Sequence, residues 1–229
     1  MTDDKVPDNA VRHDTAFGTY FIPESAMHRP AAKTVSNGGV WEPATILAML
    51  MRANGGDIIQ AGAFFGDMLP ILSKTVLPGT MVWSFEPNFE NYQCAEAVLL
   101  HNGISNVRVI FAGLAKETGR GALRIVGKDG VALGGASSFV YQADVETVDT
   151  PLVSLNEAIP KDRRVGVIQL DVEGFETPAL AGAMDILVRD RPDIIVETEP
   201  TEDWFNRNLA PLGYKRSGRA NINAVYSAR

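Results

Sequence analysis

The chain has 229 residues, with 21 Lys and Arg against 28 Asp and Glu, a formal net charge of −7, one cysteine and 45% hydrophobic residues. That length and apolar share suffice to bury the core of one large domain, and they exclude disorder as the main state. An acidic balance with pI ≈ 5.0 removes the Lys/Arg attraction on which nucleic-acid affinity mostly rests.

Cys94 cannot close an internal disulfide, and the start Met1-Thr2-Asp3-Asp4-Lys5 lacks the apolar stretch of a signal peptide. No apolar run approaches the ~20 residues that span a bilayer. The expectation is a cytoplasmic protein without nucleic-acid or membrane partners, with a homo-oligomer left open.

Residues 1–38 are weakly periodic and broken by Pro7, Pro23 and Pro30, so they read as an arm or lid rather than core. Residues 39–229 read as a single domain. Pro43 opens a helix whose Ile46, Leu47, Leu50 and Met51 share a face, and Asn54-Gly55-Gly56 stops it. Residues 57–61 form a short apolar strand, followed at once by Gly62-Ala63-Phe64-Phe65-Gly66 and a helix over 68–75. Strand, glycine loop and helix are the opening of a nucleotide-type βαβ unit.

The alternation continues with a strand over 80–85, a helix capped by Asn88 and ended at Asn102-Gly103, and a strand over 107–111. Residues 122–126 and 138–141 then alternate like a hairpin, read as an antiparallel insertion over about 119–149. Residues 165–170 are nearly all apolar, as in a strand buried on both faces, and end at Asp171. Thr177-Pro178 starts a helix that Pro192 forbids from continuing, and residues 193–196 form a fifth strand ending at Glu197. A short helix near Trp204 and strands over 214–216 and 224–226 complete the chain. Alternating strands and helices imply an α/β fold with a mostly parallel sheet, helices on both faces and ligands at the strands' carboxyl ends.

Gly62 and Gly66 bracket a turn where backbone comes close to a ligand, and Glu86 ends the next strand, where an acid accepts bonds from ribose hydroxyls. Together they point to a nucleoside cofactor. Phe64 and Phe65 would crowd the diphosphate of a nicotinamide dinucleotide, whereas S-adenosylmethionine carries none.

These residues resemble a family. Trp41-Glu42-Pro43, the segment Ile58-Ile59-Gln60-Ala61-Gly62-Ala63-Phe64-Phe65-Gly66, Phe85-Glu86-Pro87, the block Gln169-Leu170-Asp171-Val172-Glu173-Gly174-Phe175-Glu176, and Arg191-Pro192-Asp193 through Glu197 are similar to the FkbM family of S-adenosylmethionine-dependent methyltransferases. The resemblance implies a class I (Rossmann-like) sheet of seven strands, the last antiparallel, and O-methylation of a hydroxyl on a small metabolite or carbohydrate. The family's glycine loop usually begins Asp-Val-Gly-Ala-Asn. Here Gln60 replaces the acid that helps hold the cofactor's cationic end, and Phe64 replaces the amide. An alternative is therefore a catalytically weakened cofactor-binding module of the same fold.

In this reading Gln60 and Gly62, with Ala63 and Gly66 of the loop, hold the methionine portion, and Glu86 with Pro87 holds the ribose. Gly113 and Leu114 border the adenine, and Glu42 faces the amino group. Asp171 or Glu173 takes the acceptor's proton, or Asp171 and Glu197 hold a hard cation such as Mg²⁺. His28, in the arm, is a further candidate base, with His13 behind it. His101 reads as structural, Cys94 as core, and Trp204-Phe205 as tail packing or pocket wall.

Overall fold

A computed structural model describes residues 6–140 and 146–228. In chain order its elements are β1 (Ala10–Asp14), β2 (Thr19–Pro23), α1 (Pro30–Ser36), α2 (Pro43–Arg52), β3 (Asp57–Ala61), α3 (Leu69–Thr75), β4 (Val82–Phe85), α4 (Phe89–His101), β5 (Val107–Ile110), β6 (Gly113–Leu114) and β7 (Gly119–Arg124). Then follow β8 (Ser138–Val140), β9 (Val148–Val153), α5 (Leu155–Ala158), β10 (Val165–Leu170), α6 (Glu176–Ala181), α7 (Met184–Asp190), β11 (Asp193–Val196), α8 (Glu202–Asn208), β12 (Lys215–Ala220) and β13 (Asn223–Ser227).

Seven strands form one mixed sheet in the order β12-β13-β11-β10-β3-β4-β5. Neighbours from β11 to β5 pair in parallel, while β13 lies antiparallel to both β11 and β12. The last strand is thus inserted against the direction of the others. β3 and β10 sit at the centre and are buried at every position, as strands covered on both faces must be. Alternation sorts their side chains. Ile59, Ala61, Ile168 and Leu170 meet α6 and α7 residues such as Leu180 and Leu187, whereas Ile58 and Val167 meet Met49 and Leu72 on the opposite face.

Several elements depart from the sequence expectation. α2 buries Thr45, Ile46 and Met49, while Leu47 and Met51 are exposed, so its inward face is rotated from the expected stripe. The single helix expected after Thr177-Pro178 is split into α6 and α7. At the break, a Cβ on Gly182 would lie 2.1 Å from the Ala115 carbonyl oxygen, a contact no side chain can make. Residues 10–23 of the arm region are packed rather than loose. β1 and β2 form a hairpin, and Tyr20, Phe21 and Ile22 are buried with Val98 and Cys94 of α4. Burial raises the Cys94 thiol to about 12, in keeping with a core role.

The expected hairpin insertion is part of a separate four-stranded sheet, ordered β6-β9-β7-β8. β9 carries no strand signature in the sequence, because Pro151 stands in its middle. The proline lies opposite Arg120 inside the antiparallel ladder between β7 and β9. Tyr141, the expected end of the second hairpin strand, lies outside the described residues.

Candidate functional site

Two cavities open at the carboxyl ends of the central strands. The first is lined by Phe85, Glu86, Pro87, Gly113, Leu114, Phe139 and Phe175, among others, and encloses only about 20 Å³. Phe139, from β8, is what fills it. A Cβ on Gly113 would lie 2.2 Å from its ring, and the ring sits 5.2 Å from that of Phe175. The second, of about 220 Å³, is lined by Arg29, Trp41, Glu42, Gln60, Asp67, Gln169, Asp171, Glu173 and Glu197, among others. Gly62, Gly135, Asp171 and Glu173 line both, so the cavities meet there.

The glycine loop is built by backbone constraint. Gly62 has φ 90° and passes so close to β10 that a Cβ would lie 2.1 Å from the Asp171 carbonyl oxygen. Gly66, at φ 86°, lets the loop rest on Ala95 of α4, and Ala63 is fully buried; neither lines a cavity. Phe64 is left-handed (φ 49°), a conformation costing a non-glycine residue roughly 1–2 kcal/mol, which its surroundings must offset. Its N–H donates to Glu86 Oε2 at 2.8 Å, and its ring meets that of Phe65 at 4.6 Å.

Glu86 is 3% exposed. Its Oε1 accepts from the Asn88 N–H at 2.9 Å and from Asn91 Nδ2 at 3.2 Å. The acid therefore braces the glycine loop against the start of α4 while still lining the first cavity. Burial raises it to about 7, against the pull of those hydrogen bonds, with the Asp67 charge adding to the rise. Gln60, 1% exposed, is consumed internally. Its Nε2 donates to the Gly62 carbonyl at 2.9 Å, and its Oε1 accepts from Ser84 Oγ. Glu42 precedes α2 in a left-handed conformation, its Oε2 accepting from Thr45 Oγ1 at 2.7 Å and from Asn223 Nδ2 at 3.2 Å.

Past β10 and β11, carboxylate oxygens of Asp171, Glu173 and Glu197 lie within 4.8 Å of one another. Burial first, then the charge of Glu197 and a hydrogen bond to it, hold Asp171 well above the usual carboxylate range. Glu173 is raised by burial and by Glu197, with Arg29 opposing. Carboxylates so close cannot all ionise without a compensating cation.

The structure brings Glu42, Gln60, Gly62, Glu86, Pro87, Gly113, Leu114, Asp171, Glu173 and Glu197 to the two cavities. His28 is not among them. It is exposed in the turn before α1, while its neighbours Arg29 and Pro30 line the second cavity. His13 lines neither cavity, and Trp204 and Phe205 pack on the core, Phe205 against Tyr226 at 5.4 Å. His101 ends α4, its Nδ1 at 2.9 Å from the Ala97 carbonyl. Asp67 and Gln169 are among the cavity residues the sequence did not point to, with Arg29, Phe139 and Phe175. An acid directly after Gly66 was the available signal for the first, and a polar residue in an otherwise apolar buried strand for the second.

The sheet and its ligand face define a class I methyltransferase-like α/β fold. The description "Methyltransferase FkbM domain" matches residues 60–214, and the chain belongs to that family. Among solved structures, the methyltransferase FkbM from Methylobacillus flagellatus KT aligns with TM-score 0.51 and 20% identity over 75% of this chain and 43% of that one. This chain thus spans less than half of that protein, and at such identity the likeness concerns the fold. A SAM-dependent methyltransferase from Aquifex aeolicus aligns with TM-score 0.46 and 16% identity over 82% of this chain and 89% of its own. No curated protein matches the sequence. Among the described residues no helix is long and apolar enough to cross a membrane.

Proposed function

We propose that the chain is an S-adenosylmethionine-dependent O-methyltransferase acting on a hydroxyl of a small metabolite or carbohydrate. The observation that carries this reading is the meeting of an apolar cavity and an acid-lined cavity at Gly62, Gly135, Asp171 and Glu173. The residues fit the group. Pro87, Leu114 and the rings of Phe139 and Phe175 suit a purine, and the acids of the second cavity suit a cationic end. Bound there, the cofactor supplies a methyl group on a sulfonium centre.

The chain's own residues do the remaining work. With Phe139 where it stands the first cavity is too tight for a purine, so this reading requires its ring to shift on binding. Of about four acceptor sites on the Glu86 carboxylate, three take protein donors, and the one left is offered to a ribose hydroxyl. Asp171, held above the usual range by burial and by Glu197, keeps its proton to higher pH than an ordinary carboxylate; in its ionised form it is the stronger base and accepts the acceptor hydroxyl's proton, with Glu197 hydrogen-bonded to the acid so formed. Glu173 lines both cavities and positions the acceptor. With Asp171 and Glu197 it forms an oxygen-only set that a hard cation such as Mg²⁺ would accept, and such an ion would relieve their mutual repulsion.

A second reading, a cofactor-binding module with weakened turnover, is favoured by Gln60, whose amide is spent on Gly62 and Ser84 rather than on a ligand. Calorimetric titration with S-adenosylmethionine, followed by transfer of a labelled methyl group to a panel of hydroxylated compounds with and without Mg²⁺, decides between them. Binding with transfer is the expected result. Binding without transfer to any acceptor supports the module, and no binding sinks both.

A further inference from the structure

The second cavity gathers five acids, and their partners differ. Glu42 is bonded to Thr45 and Asn223, Asp171 to Glu197, and Glu173 faces Arg29. Asp67 has neither a cation nor a side-chain hydrogen bond among the described residues, though it is only 6% exposed; its carboxylate accepts from its own N–H and that of Met68. A buried carboxylate without a cation is costly, and burial together with the charge of Glu42 raises it to about 7.

A second, independent feature lies across the same cavity. Gln169 is 1% exposed, and its buried Oε1 has no hydrogen-bond partner among the described residues. It stands beside Gln60 in the register of β10 on β3, so an unmet neutral acceptor flanks the loop from the strand side. An unmet acceptor and an uncompensated carboxylate in one cavity call for a small cation with several donors. An ammonium group has three.

We propose that Asp67, assisted by Gln169 Oε1, holds the ammonium group of the cofactor's methionine end. This deepens the methyltransferase reading and rests on it. Gln60 cannot supply that charge, being neutral and hydrogen-bonded inside the protein. Asp67 stands seven positions after Gln60, past the far side of the glycine loop, and lines the same cavity. Binding of the ammonium returns Asp67 to its ionised form and gives Gln169 its missing donor.

The test uses two probes, S-adenosylhomocysteine and methylthioadenosine, which share the nucleoside and thioether but differ in the amino-acid end. Calorimetry on Asp67→Asn should show S-adenosylhomocysteine weakened roughly tenfold or more, the loss of a charge-assisted bond, with methylthioadenosine unchanged within about twofold. Gln169→Met should show a smaller loss confined to the same probe, and it keeps the test alive if the first variant folds poorly. Equal losses for both probes, or no loss for S-adenosylhomocysteine, overturn the assignment. Wild-type protein that binds neither probe overturns the cofactor reading itself, and the Asp67 role with it.

Discussion

The two ends of the seven-stranded sheet treat charge in opposite ways. At the amino ends each buried acid has its cation. Asp57, at the start of β3, meets Arg163 at 2.5 Å, Asp193 of β11 meets Arg52 at 2.9 Å, and Asp190, which also accepts from the first N–H of β10, meets Arg189 at 2.6 Å. At the carboxyl ends Glu42, Asp67, Glu86, Asp171, Glu173 and Glu197 gather with no ion pair among the described residues. One end is neutralised and pins the strands. The other keeps a negative charge that Arg29 offsets only in part, at Glu173, and that is left otherwise uncompensated within the described residues.

The largest effect that could break this comparison is at the amino end. Asp57→Ala should cost about 3–5 kcal/mol, because Arg163, Trp83 Nε1 and the Met81 N–H would all lose their acceptor in a mostly buried setting. Denaturant midpoints would show it, and a loss below about 1 kcal/mol would mean the neutralised end does not hold the sheet.

The carboxyl end should answer to pH. Asp67 is raised from 3.8 to about 7, so between those values the folded chain keeps a proton that the unfolded chain has released. Stability therefore falls with rising pH across that window, and Glu86, raised from 4.5 to about 7, acts in the same direction. Asp67→Asn removes one contribution. Its stability relative to wild type should climb between pH values of about 4 and 7 and level off above, in thermal melts without ligand. A difference that stays flat across the window would show that Asp67 is not desolvated as the structure has it.

The smallest effect is expected at an exposed pair that belongs to neither end. Asp149→Ala breaks a contact with Arg120 in which both side chains are more than half exposed, and it should change stability by less than about 0.5 kcal/mol. A larger value would mean that surface charge, rather than its placement on the sheet, governs stability here.

Local pattern made much of this legible. β3, β10 and β11 are short apolar runs, so period and length announce them, and the acids just past them follow from the rule that ligands gather at strand ends. Asn88 as a helix cap was equally local, its side chain accepting from the Glu90 N–H. The β1–β2 hairpin was not legible. Its strands carry Arg12, His13, Asp14 and Pro23, and it gains its stability from α4, some 70 residues away in sequence. His28 looked as available as any arm residue until the turn before α1 left it exposed.

By itself, then, the sequence determined the family, the chain order of the strands in the main sheet, and that Glu86, Asp171 and Glu197 stand just past strand ends, because hydrophobic period and motif spacing are properties of neighbours in the chain. The partner of each acid was decided only in three dimensions. Glu86 is spent partly on the backbone of Phe64, Gln60 on Gly62 and Ser84, and Asp67 has no cation, although all three are polar residues of one loop and its flanking strands. Burial and charge compensation depend on contacts between distant segments, and these set which acids are left to meet a ligand.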